Sequence, residues 1–312
     1  MSGDVLARAA GILRDACGER VRVGFPMAPL TTLRIGGPAA LYLEPEDDAD
    51  LDAASRVLLD TGLPFVVLGK GSNVLVADDG FPGLVLRLGR GFRWTARDGD
   101  RLVAGGSMPL PALAGVALRH GLAGLGFGVA IPATLGGAVR MNAGAHGHEM
   151  AEVVESARLW LLLEGRVRSL VADDLAFGYR HSELPSDGIV VGATMRLRAG
   201  DPAEMRVEMA EVRAWRRATQ PLAEPNCGSV FKNPPDGPAA ARLVEEVGAK
   251  GLRVGGASVS AKHANFIVAD PGARASEVWE LILRVRSLVE ERCGIRLEPE
   301  VQLIGEVAHA SA

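Results

Sequence analysis

Ser229 sits in the run Asn226 to Pro234, directly after Cys227 and Gly228 and shortly before Lys232 and Asn233. A serine carried on a glycine turn can be pressed toward a ligand, because the backbone there approaches closely and takes unusual dihedrals. One chemistry for it is nucleophilic attack. That reading fits poorly, since a nucleophile elbow needs glycine two residues either side of the serine, and here those places hold Cys227 and Phe231. The other chemistry is a proton given to a strongly basic carbon, for which a weak acid suffices.

Three further segments carry polar chemistry. Gly69, Lys70, Gly71, Ser72, Asn73 and Val74 follow an apolar run. Glycines two apart let successive amides converge on an anion such as a pyrophosphate. The dinucleotide fingerprint needs a third glycine and a following helix; Val74 occupies that place and Leu75 and Val76 read as a strand. An ordinary tight turn is the alternative. The span Gly124 to Gly147 is dense in glycine and alanine, as expected of backbone lying against a flat ligand or of tightly packed loops. His146, His148 and Glu149 lack a well-placed further partner, so no metal site is expected. Lys262 and His263 end a Gly- and Ser-rich stretch and offer cationic or polar contacts to a diphosphate or carboxylate, or stand solvated at a strand edge.

Elements must position these residues. Apolar spacing of three and four predicts helices beginning near Asp4, after Asp50, at Pro109, at Pro202, at Pro238 and at Ser276, the last stopped by Gly294. Strands are expected at Val21 to Phe25, Pro64 to Leu68, Leu84 to Leu88, Arg101 to Val103, Ala157 to Leu163, Arg166 to Leu170, Ile189 to Leu197 and Ile295 to Ile304. The opening β-α-β order marks an α/β start, and Asp201/Pro202 is the expected domain boundary. At 312 residues with 48 % apolar and 23 % charged content, the chain is a folded protein of more than one domain. A net charge of −4 argues against a nucleic-acid binder, which would show a basic excess or stripe. Cys17, Cys227 and Cys293 form neither a CxxC pair nor a disulfide framework. No basic-then-apolar leader and no long apolar run are present, so a cytoplasmic location without membrane insertion is expected.

Nine segments, taken in order, carry a resemblance. They are Thr31 to Gly37, Leu68 to Asn73, Ile131 to Ala138, Met141 to Ala145, Tyr179 to Ser182, Gln220 to Leu222, Asn226 to Pro234, Lys262 to Phe266 and Glu298 to Val301. Together they resemble the UDP-N-acetylenolpyruvoylglucosamine reductases of peptidoglycan synthesis. The resemblance implies an FAD-binding region of the vanillyl-alcohol-oxidase type over 1–200, made of α/β subdomains at about 1–80 and 81–200. A C-terminal α+β substrate-binding domain would follow over 201–312.

It also implies reduction of UDP-N-acetylglucosamine enolpyruvate to UDP-N-acetylmuramate, with NADPH as hydride donor and FAD held non-covalently. Arg180, Ser229 and Glu300 take the family's catalytic positions. FAD would lie on Gly69 to Val74, on Pro132, Ala133, Thr134, Gly136 and Gly137, and on Asn142 and Gly144. Asn233, Lys262 and His263 are candidates for the UDP-sugar. Ala133 departs from the usual glycine, so its backbone must accept a methyl. The short spacing from Arg180 to Ser229 matches the branch without a tyrosine-bearing insertion. An FAD oxidase of the same fold, or a flavin-binding protein without catalysis, are the competing functions.

Overall fold

The computed structural model describes residues 3–307. Its α-helices are α1 (Gly3–Cys17), α2 (Asp48–Thr61), α3 (Leu110–Arg119), α4 (Leu135–Arg140), α5 (Pro202–Thr219), α6 (Ala240–Glu246) and α7 (Ala275–Cys293). The periodic segments account for all of these except α4. Sequence signals also fix the ends. Asp47 caps α2 by accepting from the Asp50 amide at 3.0 Å, and Gly62 (φ 62°) and Gly294 (φ 69°) close α2 and α7 in the left-handed conformation. Among the described residues, no helix is long and apolar enough to cross a membrane.

By packing, the chain forms two compact units that interleave along the sequence, unlike the linear boundary expected at Asp201. One holds the residues up to Val23, Leu41–Lys70 and Gly83–Arg216; the other holds Gly24–Ala40, Gly71–Pro82 and the residues from Arg217 onward. The cause lies in two short segments that join the core of the second unit. Leu33, Ile35 and Leu75 are buried among residues of α6 and α7, and Val74–Val76 pairs in parallel with Gln302–Ile304. Such short segments carry too little periodicity to reveal their partners.

The first unit contains a five-stranded antiparallel sheet in the order Arg166–Val171, Val154–Leu161, Gly188–Arg196, Arg101–Gly105, Thr95–Asp98. Leu102, Ala104, Leu159 and Val190 of this sheet share one core with α3 and α4. A second core in this unit gathers α1, α2 and the strand Phe81–Leu86, which pairs in parallel with Phe65–Val67. Within it Asp50, 2 % exposed, accepts from Arg20 at 2.7 Å and from the Glu46 amide at 2.8 Å. Burial and the hydrogen bond to Asp50 push the Cys17 thiol up to about 12. Cys227, wholly enclosed, is likewise pushed up to about 12 by burial. These thiols stay protonated and unreactive.

The second unit is a four-stranded antiparallel sheet in the order Asn226–Ser229, Phe266–Ala269, Ala257–Val259, Arg253–Val254, with α6 and α7 on its core. The expected long strand from Ile295 shrinks to Gln302–Ile304. Pro299 has no amide to offer a ladder, and only an isolated bridge joins it to Phe231.

A carboxylate anchors α7. Asp78 accepts from the Ala275 amide at 2.7 Å and from the Ser276 amide and hydroxyl at 3.1 and 2.8 Å. Burial alone would raise its pKa, but these donors and Arg274 outweigh that and hold the carboxyl below its ordinary value. A depressed folded-state pKa stabilises fully above the unfolded value near ~3.9 and is lost as pH falls through the folded value. Asp78→Ala should therefore cost about 1–2 kcal/mol at neutral pH, as for a lost helix cap. In urea unfolding, the gap between variant and parent should close as the pH drops below about 4. A gap that is constant with pH would contradict the capping role.

Candidate active site

In the first unit the strand Phe65–Val67 ends with Leu68, whose amide bonds Leu86, and the chain then enters the Gly69–Asn73 loop. Gly71 adopts φ 63°, and a side chain there would run into the Leu30 carbonyl. Among the described residues none of the amides from Gly69 to Asn73 donates to a protein acceptor. Open amides beside a left-handed glycine are what the expected anion nest requires. Gly69 and Lys70 line a cleft together with Ser107, Thr134, Gly136 and Gly137. Five of the expected cofactor positions thus share one cleft. Ser107 and the neighbouring Gly106 also border it, and no sequence signal marked them.

The Gly-rich segment is more ordered than open backbone. Thr134 caps α4 by accepting from the Gly137 amide at 3.2 Å, and the Gly136 amide donates to Gly106 at 2.9 Å. Those amides therefore serve the fold. Gly136 matters by lacking a Cβ, which would stand 3.0 Å from the Val190 carbonyl. Ala133 is not in the left-handed region, so its methyl is accommodated. Its amide and carbonyl bond Ile131 and Leu110 at 2.9 Å each, while Pro132 before it is exposed.

Asn142, expected on the cofactor, is fully buried at φ 40° and acts as a clamp. Its Oδ1 accepts from the Ala151 amide at 2.9 Å and its Nδ2 donates to Gly178 at 3.0 Å. Gly178 opens the turn that carries Arg180, itself at φ 56°. Arg180 donates to the Gly144 carbonyl at 3.2 Å and lies 4.9 Å from the Tyr179 ring centre. A Cβ on Gly144 would come 3.2 Å from the Arg180 guanidinium. Asn142 and Gly144 thus position Arg180.

In the second unit Asn226 shapes the serine turn. Its Oδ1 accepts from Gly228 at 3.0 Å, its amide donates to Thr32, and its carbonyl accepts from the Thr32 hydroxyl at 2.6 Å. Gly228 takes φ 79°, and the irregular register between Asn226 and Ser229 leaves Ser229 opposite Phe266 and part-exposed. Buried Asn265 locks Phe231, two residues on, accepting from its amide at 2.9 Å and donating to its carbonyl at 2.8 Å. The Glu300 amide donates to Val230 at 2.7 Å, so Glu300 is fixed beside the residue that follows Ser229.

Other expected contacts are redirected. The Asn73 side chain donates to the Glu300 carbonyl at 3.0 Å and the Gln302 amide returns to Asn73, while Ser72 lies 3.4 Å from where a Cβ on Gly228 would stand. Asn233 caps α6 through Ala240 at 3.0 Å, and Lys262 donates to the Arg217 carbonyl at 2.6 Å. His263 accepts from the Asn265 amide and packs edge-on to Phe266. Burial, with Lys250 adding to it, lowers its pKa, so the expected cationic contact is not available from it at neutral pH. Among the described residues no cluster of metal-ligating side chains exists.

An FAD-binding domain model matches residues 39–170, and the C-terminal domain model of UDP-N-acetylenolpyruvoylglucosamine reductase matches 220–304. A reductase of that name from Heliobacterium modesticaldum is 48 % identical over 95 % of this chain and 94 % of its own. One from Symbiobacterium thermophilum is 47 % identical over 96 % of each. The crystal structure of the Thermus caldophilus enzyme superposes with a TM-score of 0.79 at 39 % identity, covering 91 % of this chain and all of that one. The open amides of the 69–73 loop and the glycine-lined cleft fit the FAD that the domain match specifies.

Asn142→Ala should cost about 2 kcal/mol by stranding the Ala151 amide and the Gly178 carbonyl. It should reduce turnover more than FAD content, because the turn that slips is the one bearing Arg180. Equal loss of turnover and bound FAD, measured by activity and flavin absorbance on the same sample, would show that Asn142 serves the cofactor instead.

Proposed function

Because this chain belongs to the UDP-N-acetylenolpyruvoylglucosamine reductase family, we propose that NADPH is its hydride donor and that Ser229, Arg180 and Glu300 carry the reduction of the enolpyruvyl ether to UDP-N-acetylmuramate. FAD, when bound, supplies hydride to the β-carbon of the enolpyruvyl group. That addition leaves negative charge at the α-carbon, delocalised into its carboxylate. Donors aimed where charge develops contribute the largest part of such catalysis. Arg180 provides a fixed charge and paired donors, and its strained φ is the kind of backbone cost that persists at sites of function. Glu300, in a protonated form, hydrogen-bonds the developing aci-carboxylate. Ser229 gives its hydroxyl proton to the α-carbon, which is basic enough to take it from a weak acid.

The observation that carries this reading is the built turn. Gly228 at positive φ, the Asn226 side chain and the 2.7 Å bond from Glu300 to Val230 together hold Ser229 and Glu300 on neighbouring backbone. No histidine within this turn stands ready to activate Ser229 for attack, which suits a proton donor. The amides of Gly69 to Asn73 serve the FAD diphosphate in this account, with Val74 beginning the strand behind them, and Thr134, Gly136 and Gly137 form the cleft wall beside Pro132 and Ala133. Exposed Lys262 is the candidate retained for the UDP diphosphate. Nucleotide substrates of this kind place the reaction in the cytoplasm.

Ser229→Ala should leave NADPH-dependent flavin reduction within about twofold of the parent. Reoxidation by UDP-N-acetylglucosamine enolpyruvate should slow by about 10²–10⁴-fold, the worth of general acid catalysis. Anaerobic stopped-flow absorbance separates the two half-reactions. Parallel loss of both would assign Ser229 to structure and sink the proton-donor role.

A further inference from the structure

Arg140 ends α4 and lines the cofactor cleft. One nitrogen, Nη2, donates to the carbonyls of Pro185 at 2.9 Å and Gly188 at 2.6 Å. Both acceptors are neutral. Among the described residues Nε and Nη1 have no protein acceptor, and no carboxylate forms an ion pair with the group. Burial lowers its pKa, and the charge of Asp187 offsets this only in part. A part-buried cation whose neighbouring carboxylate charge compensates it only in part favours an anion at the nitrogens that bond no protein acceptor.

The rest of the cleft agrees. Its charged lining is Lys70, Arg87, Arg93 and Arg140 against a single carboxylate, Glu44. Glu44 already accepts from the Tyr42 hydroxyl at 3.1 Å. An excess of fixed positive charge in a chain of net charge −4 is local and suits a dianion. A diphosphate diester is one; an oxidised isoalloxazine ring is neutral.

We propose that Arg140 is a cofactor-binding residue that directs Nε and Nη1 to the adenosine diphosphate half of FAD, while Nη2 holds the loop from Pro185 to Gly188 in place. The role belongs to binding and leaves the flavin ring untouched. It rests on FAD as the cofactor and is independent of the roles given to Ser229, Arg180 and Glu300.

The full-length chain, stripped of flavin, is titrated with FAD and separately with ADP in parent, Arg140→Met and Arg140→Gln. Both variants should bind FAD and ADP about tenfold or more weakly, the loss of one charge-assisted contact. With FAD at saturation, the flavin absorption spectrum should match the parent. Unchanged ADP affinity overturns the assignment. So does a shifted flavin spectrum at saturation, which would place Arg140 against the ring. A fall in the melting temperature of the flavin-free chain that accompanies equal losses for every ligand would reduce Arg140 to a loop anchor. If Arg140→Met does not fold, Arg140→Gln, which keeps a donor for the carbonyls, decides alone by its ADP affinity.

Discussion

The 2.7 Å hydrogen bond from the Glu300 amide to the Val230 carbonyl is the interaction that holds Ser229 and Glu300 on neighbouring backbone in the second unit. Three distant stretches of chain meet around it. Asn73 grips the Glu300 carbonyl and receives the Gln302 amide, Thr32 grips both polar groups of the Asn226 peptide, and Asn265 grips Phe231. Each stretch contributes a side chain bonded to a backbone group, which leaves few unpaired polar groups inside a small unit. Removal of any one would free a buried donor or acceptor and loosen Ser229 and Glu300 together. A reaction step that needs a proton delivered over about 3 Å tolerates little looseness.

The first unit solves a different problem, the reception of a large charged cofactor by an acidic chain. Glycines keep the cleft wall close to the backbone, Gly69 and Lys70 leave their amides open, and four basic side chains gather at the lining.

Much of this was legible in the sequence because helix periodicity and the Asp, Pro and Gly end signals are local. The Ser229 turn was legible for the same reason, since its glycine and the asparagine before it act within two or three residues. The interleaving of the units was not, because Leu33 and Leu75 find their core partners only across long stretches of chain. Helix α4 was hidden by glycines that read as loop, although Gly136 is there for close approach to Val190. Asn73, Asn142 and Asn233 were legible as polar and positioned, but an asparagine that binds a ligand and one that clamps a backbone look alike until the backbone is seen. Arg140 was invisible for the opposite reason: one arginine among 34 basic residues is marked only by its part-buried place in the cleft lining.

The central claim is that this chain passes reducing equivalents from NADPH through FAD to an enolpyruvyl UDP-sugar. The most direct measurement is an anaerobic titration of the purified yellow protein. NADPH should bleach the flavin, and stoichiometric UDP-N-acetylglucosamine enolpyruvate should restore its colour while gaining two hydrogens by mass. A bleached flavin that stays reduced with that substrate, and regains colour only when oxygen is admitted, would contradict the account.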